Sequence, residues 1–182
     1  RMDADSTMTR ESYSKNLTAF ANGEYDIMLG TQMVAKGLDF PNVTLVGVIG
    51  ADQAAYSEDY RSFEKSFSLL TQVIGRAGRG TSEGIAVIQT LDPASNIISL
   101  ACRQDYEAFY EEEIKSRKVM IFPPYCDICV IWSQSTNRSL AEATVREVFD
   151  RLREGTKGEF CDVRLMILGP AAAAMPKVNN RY

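Results

Sequence analysis

Between residues 63 and 77 apolar side chains recur every three to four positions: Phe63, Phe67, Leu70, Ile74 and Ala77 share one side of a helix. Gln72, Arg76 and Arg79, at i, i+4 and i+7, share the opposite side. The pattern predicts a helix over Phe63–Arg79 that buries one face and projects two guanidinium groups from the other. Upstream, Tyr13, Leu17 and Phe20 form a second apolar stripe, with Thr9 as its cap and Gly23 as its stop. Asp26–Gly30 reads as a short buried strand, Val43–Ile49 as a stronger one rich in β-branched residues, and Gly84–Thr90 as a third. Ser95–Ala101 and Gln104–Lys118 read as helices, the latter with Tyr106, Phe109, Tyr110 and Ile114 on one side. Strands alternating with helices predict an α/β fold, a mainly parallel sheet covered by helices on both faces.

The pattern changes after Lys118. Phe122-Pro123-Pro124-Tyr125 cannot continue a helix and reads as a linker. A strand (Asp127–Trp132), a helix (Leu140–Leu152, with Val145, Val148, Phe149 and Leu152 inward) and a strand (Val163–Leu168) follow. The expected organisation is therefore a lobe over residues 1–118 and part of a small α+β domain over 119–182. That second sheet would lack cover for its apolar face.

Charge and cysteine content narrow the chemistry. The 182 residues carry a formal net charge of −4, so general electrostatic attraction to nucleic acid is excluded and any such contact must be local. Hydrophobic content of 45% supports a core, and no apolar run reaches membrane-spanning length. Cys126 and Cys129 form a lone C-x-x-C in the apolar run CDICVIW, and the chain has no histidine. A structural zinc site needs four ligands, so these thiols, with Cys102 and Cys161, read as reduced packing residues. The chain opens at Arg1 and closes at Tyr182 in mid-pattern, as a piece of a longer protein would.

Arginine on an exposed helix face suits phosphate, because its planar fork bonds two oxygens and stays charged. The bland reading of Arg76 and Arg79 is an Arg-rich helix end that offsets the helix dipole. Gly75 and Gly78 each cost a helix roughly 1 kcal/mol against alanine and so require a reason, such as close approach of a partner. Gly30 and Thr31 fall at the carboxyl edge of the first strand, where open α/β sheets place ligands. Thr31 is either a phosphate donor or a helix cap, and Lys36 either a phosphate contact or a solvated lysine. Gly37 permits close backbone approach, and Asp39 on its own would be a turn residue ahead of Pro41. Asp59, Arg61 and Glu64, taken singly, read as ion-pairing residues.

Taken together, GTQMVAKGLDFP (30–41) and Gln72-x-x-Gly-Arg-x-Gly-Arg79 resemble motifs V and VI of superfamily 2 helicases. The intervening SEDYRSFEKSFSLL, the opening RMDADST, and the later PPY and LGPAAAAMPK are similar, in that order, to the PriA family of primosomal replication-restart helicases, also called primosomal protein N′. The resemblance implies the second RecA-like motor lobe of an ATP-driven 3′-to-5′ DNA helicase, followed by the start of a C-terminal domain. It also implies roles: Thr31, Gln32 and Lys36 on DNA; Gly37, Asp39, Arg76 and Arg79 at the nucleotide; Arg79 as an arginine finger; and Gln72 positioning water or sensing the γ-phosphate. ATP with Mg²⁺ is expected mainly on another lobe, because no G-x-x-x-x-G-K-[ST] or D-E-x-H occurs in these residues. The chain alone is then expected to be inactive. Zinc-binding cysteine clusters of the family would lie outside this chain. Implied partners are single-stranded and forked DNA, other primosome proteins and single-stranded-DNA-binding protein, in a bacterial cytoplasm and with no membrane. Two rivals are an interaction module for replication proteins and a small-molecule Rossmann-like enzyme; the second is weak, since GTQMVAKG lacks the G-x-G-x-x-G spacing.

Overall fold

A computed structural model describes residues 2, 10–31, 40–54, 59–78 and 83–182 of the chain. It divides into two units, Arg1–Cys126 and Asp127–Tyr182.

In the first unit, helix α1 (Arg10–Ala21) ends where the Asn22 and Glu24 amides return to the Thr18 and Ala19 carbonyls. Gly23 takes φ +77° there, the left-handed conformation expected of a stop. Its stripe is only partly covered, and Phe20 meets Phe40 edge-to-face at 5.0 Å. The expected cap Thr9 lies outside the described residues. The expected buried strand Asp26–Gly30 is not formed. Gly30 makes a single parallel bridge to Met2, the Met2 amide donates to the Leu29 carbonyl at 2.7 Å, and Ile27 and Leu29 are exposed. A five-residue apolar segment with one bridge has no ladder to hold it as a strand.

Strands β1 (Leu45–Val48) and β2 (Ile85–Ile88) pair in parallel, with Leu45 opposite Ile85 and Val48 opposite Ile88. Helix α2 (Ser62–Ile74) crosses between them, after a 3-10 turn at Ala51–Ala54. Helices α3 (Asn96–Arg103) and α4 (Tyr106–Met120) follow. Asp105 caps α4 by accepting the Ala108 amide at 3.1 Å. One core joins Ala51, Phe67, Leu70, Leu100, Ala101 and Phe109, with Val48 and Ile88 packed against it. The sheet is therefore covered on the side of Val48 and Ile88. Leu45, Ile85 and Val87 on its other side are exposed, which corrects the expected two-sided cover. Phe63, expected inward, is 43% exposed: it precedes Phe67 by one turn and reaches past the end of the core. Tyr106 and Tyr110 are likewise more exposed than the buried Phe109 between them.

Helix α4 continues through the expected boundary at 118/119 and ends at Met120, capped by Ile121 in the left-handed region. In the second unit, helix α5 (Arg138–Gly155) is capped by Asn137, whose side chain accepts the Ser139 and Leu140 amides. Ala141 is buried, and Val145, Val148 and Phe149 are half-buried on one face. The expected strands Asp127–Trp132 and Val163–Leu168 form no ladder among the described residues, and Trp132 is 82% exposed. Strand propensity is a preference for a pleated surface with neighbours, and without neighbours it forms no sheet. A reciprocal pair of backbone bonds, Ser135 with Tyr182 at 3.0 and 2.8 Å, ties the two ends of this unit.

Candidate nucleotide and nucleic-acid interface

The arginine-bearing segment does not continue α2. The helix stops at Ile74, and Gly75–Gly78 form a turn in which the Gly75, Arg76 and Ala77 amides donate to Thr71, Val73 and Ile74 carbonyls at 3.0 to 3.2 Å. Gln72 thus lies in the last helical turn while Arg76 lies beyond it, so the helical face expected to carry both is not built. Arg79 is outside the described residues.

Glycine explains the stop. Gly78 adopts φ +73°, and a Cβ there would meet the Gly84 nitrogen at 2.4 Å. A Cβ on Gly84 would in turn meet the Gly78 nitrogen at 2.1 Å. The close approach expected to justify Gly75 and Gly78 is found at Gly78, between two segments of this chain. It lets the Gly78 amide donate to the Val43 carbonyl at 3.1 Å, while the Ile85 amide donates to Thr44 at 2.8 Å. The arginine turn is consequently stitched to the amino-terminal edge of β1 and β2, beside Phe40, which directly follows Asp39 in sequence. Arg76 is half-buried in this turn and its Nε is enclosed.

Of the other expected site residues, Thr31 is exposed, one residue after the Gly30 bridge, and no described contact joins it to the arginine turn. Gln32, Lys36, Gly37 and Asp39 fall outside the described residues. Gln72 is exposed and its side-chain amide donates to the Ser68 hydroxyl at 3.1 Å, which aligns it along α2.

The opposite edge of the sheet is fastened by Asp52, whose carboxylate accepts the Thr90 hydroxyl at 2.6 Å and the Leu91 amide at 2.8 Å. Those bonds, the Thr90 hydroxyl foremost, hold its pKa below the usual carboxylate range. The DYRSFEK block proves to be a fastening. Asp59 is bonded to Lys65 and accepts the Arg61 amide at 3.0 Å; both, Lys65 first, push its pKa well down. Glu64 on α2 and Glu113 on α4 share Arg117, at 2.7 and 2.8 Å. Burial works against that guanidinium's charge, and its bonds to Glu113 and Glu64 outweigh it, so its pKa is raised. Arg117 also donates to the Pro123 carbonyl at 3.2 Å and lies 5.4 Å from the Tyr60 ring, which packs on Phe122. The ion-pairing reading of Asp59, Arg61 and Glu64 fits this geometry, and the block also anchors the proline segment to α2. Sequence reasoning missed Arg117, which is separated by 53 residues from its Glu64 partner and carries no local signal.

All four cysteines are free. Cys102, Cys129 and Cys161 are exposed, so they are not the packing residues expected; Cys126 is half-buried and its thiol donates to the Ile121 carbonyl. The described residues contain no cluster of three or more His, Cys, Asp or Glu placed to hold a metal. Among them, too, no helix is long and apolar enough to cross a membrane.

Residues 2–81 match the family model described as helicase conserved C-terminal domain. The replication restart protein PriA of Bacillus subtilis is 42% identical over 182 residues, covering all of this chain and 22% of that protein. PriA of Synechocystis is 36% identical over 186 residues, covering all of this chain and 21% of its own length. PriA of Borreliella burgdorferi is 36% identical over 178 residues, covering 98% of this chain and 26% of its own. The chain belongs to the PriA family. It spans about a fifth to a quarter of the length of these PriA relatives. The helicase match ends just past the arginine turn, so the PriA likeness over α3, α4 and the second unit goes beyond the general helicase domain.

Proposed function

We propose that this chain supplies the second, RecA-like motor lobe of an ATP-driven 3′-to-5′ DNA helicase that restarts stalled replication forks, together with the first part of a C-terminal domain. The carrying observation is the Gly78–Val43 bond, which joins the arginine turn to the segment that follows Asp39. The arginine turn thereby sits at the end of β1 that the segment after Pro41 enters. A nucleotide held at that end by another lobe would meet Arg76 and Arg79 from this one.

In this reading ATP and Mg²⁺ bind mainly on a lobe outside these residues, where the metal neutralises the phosphates. Closure of the two lobes brings Arg79, and beside it Arg76, to the γ-phosphate, where a guanidinium stabilises charge in the transition state. Gln72 senses or orders that phosphate's surroundings, Asp39 stands near the nucleotide, and Gly37 leaves room for the backbone to approach. Thr31, Gln32 and Lys36 hold a backbone phosphate of single-stranded DNA, so that closing and reopening move the strand. The net charge of −4 favours such directed contacts over a broad basic surface. Single-stranded and forked DNA, primosome proteins and single-stranded-DNA-binding protein are the partners of the full-length protein, in the bacterial cytoplasm.

Arg79→Lys in the full-length protein tests the reading. Lysine keeps the charge and loses the fork. ATP affinity should be kept while DNA-stimulated kcat falls at least ~10-fold, about 1.4 kcal/mol of transition-state stabilisation. Parental turnover with intact DNA stimulation would show that Arg79 is not the finger.

A further inference from the structure

A groove of about 520 Å³ runs between α2 and α4, away from the arginine turn's contact with β1. Its floor is the pair Phe67 and Phe109, both buried, whose rings stack with centroids 4.2 Å apart and 8° between planes. One wall carries Tyr106 and Tyr110, one helical turn apart with centroids 6.3 Å apart, and these rings are 63% and 48% exposed. Glu64 and Glu113 close one end, sharing Arg117 between them. Arg117 takes a single oxygen from each, so the three groups together keep one net negative charge, and the Glu64 side chain is 54% exposed. Elsewhere on α4, Glu107 is exposed, and Glu111, also exposed, lies 3.8 Å from the Lys115 ammonium.

We infer that this groove is a docking site for a protein segment that presents one large apolar side chain flanked by lysine or arginine. The stacked phenylalanines offer an apolar seat. The exposed faces of Tyr106 and Tyr110 attract a cation as well as an alkyl stem, and the carboxylate end supplies the complementary charge. Nucleic acid is the wrong occupant, because its phosphates would be brought against Glu64 and Glu113. Thr71 and Gln72 line the same groove at the end of α2, so an occupant would touch the helix turn from which the arginine turn departs.

The test uses the full-length protein that contains this chain and an array of twelve-residue peptides, each with one Leu, Phe or Trp flanked by Arg/Lys, by Ser, or by Glu. The Arg/Lys set should bind, and its affinity should fall with added salt. Tyr110→Ser should weaken it at least ~10-fold and Glu64→Gln about threefold, with Tyr106→Ser as a second wall variant should Tyr110→Ser lower the melting temperature. The inference is overturned if no peptide binds, if the Ser or Glu sets bind as well, or if Tyr106→Ser and Tyr110→Ser leave binding unchanged. Displacement of bound peptide by oligo-dT, or by self-association of the protein, would equally overturn it by naming a different occupant.

Discussion

At the scale of single residues, the glycines of the arginine turn have the most specific role. Gly78 and Gly84 approach so closely that neither tolerates a Cβ without movement of backbone. Gly78 also sits at φ +73°, where an L side chain is strained. Gly78→Ala should therefore destabilise the lobe by roughly 1–3 kcal/mol, with loss of the Gly78–Val43 bond. Gly75→Ala meets the Thr71 carbonyl at 3.2 Å and the flexible Gln104 side chain at 3.5 Å, at an ordinary φ, and should be markedly milder. Thermal melts of the two variants check the ranking; equal melting temperatures would contradict it. The sequence marked Gly75 and Gly78 as needing a reason such as a close partner. It did not reveal that the partner of Gly78 is Gly84, because that contact depends on where the strand after Gly84 lies.

At the scale of elements, α2 joins the sheet to the other helices. Its inner side chains are Phe67 and Leu70, and Ile74 packs at their edge. Phe67→Ala would remove half of the Phe67–Phe109 stack and leave a cavity in the core, at a cost on the order of 3–5 kcal/mol. Phe63→Ala, one turn earlier on the same stripe but exposed, should change stability by about 0.5 kcal/mol or less. Denaturant midpoints for the pair decide this, and a comparable loss from both would place Phe63 in the core after all. The stripe itself was legible from residue spacing. Its amino-terminal limit was not, since periodicity says which residues share a face and not how far the neighbouring helix extends. The carboxyl limit failed for another reason: Gly75 and Gly78 are compatible with a helix at a modest penalty, and the pairing of Gly78 with Val43 decided against it.

At the scale of the whole molecule, these 182 residues contain the arginine turn and no phosphate-binding loop. The purified chain should therefore release no phosphate from ATP with or without single-stranded DNA; DNA-stimulated turnover above a buffer blank would contradict the two-lobe reading. Several features followed from sequence alone. Periodicity dictates α1, α2, α4 and α5, since amphipathic spacing over ten or more residues has few alternatives, and the shorter α3 follows the same spacing. β-Branched runs bounded by turn residues dictate β1 and β2, and the order of motifs dictates the family. Tertiary structure decided the rest. Asp26–Gly30, Asp127–Trp132 and Val163–Leu168 are also rich in apolar residues, yet among the described residues the one ladder is that of β1 and β2, because a strand exists through its neighbour's hydrogen bonds. The Arg117 fastening and the Gly78–Gly84 approach likewise join residues that no local pattern links. Both depend on how α2 packs against the chain that follows it, a matter of non-local distances that no short window of sequence contains.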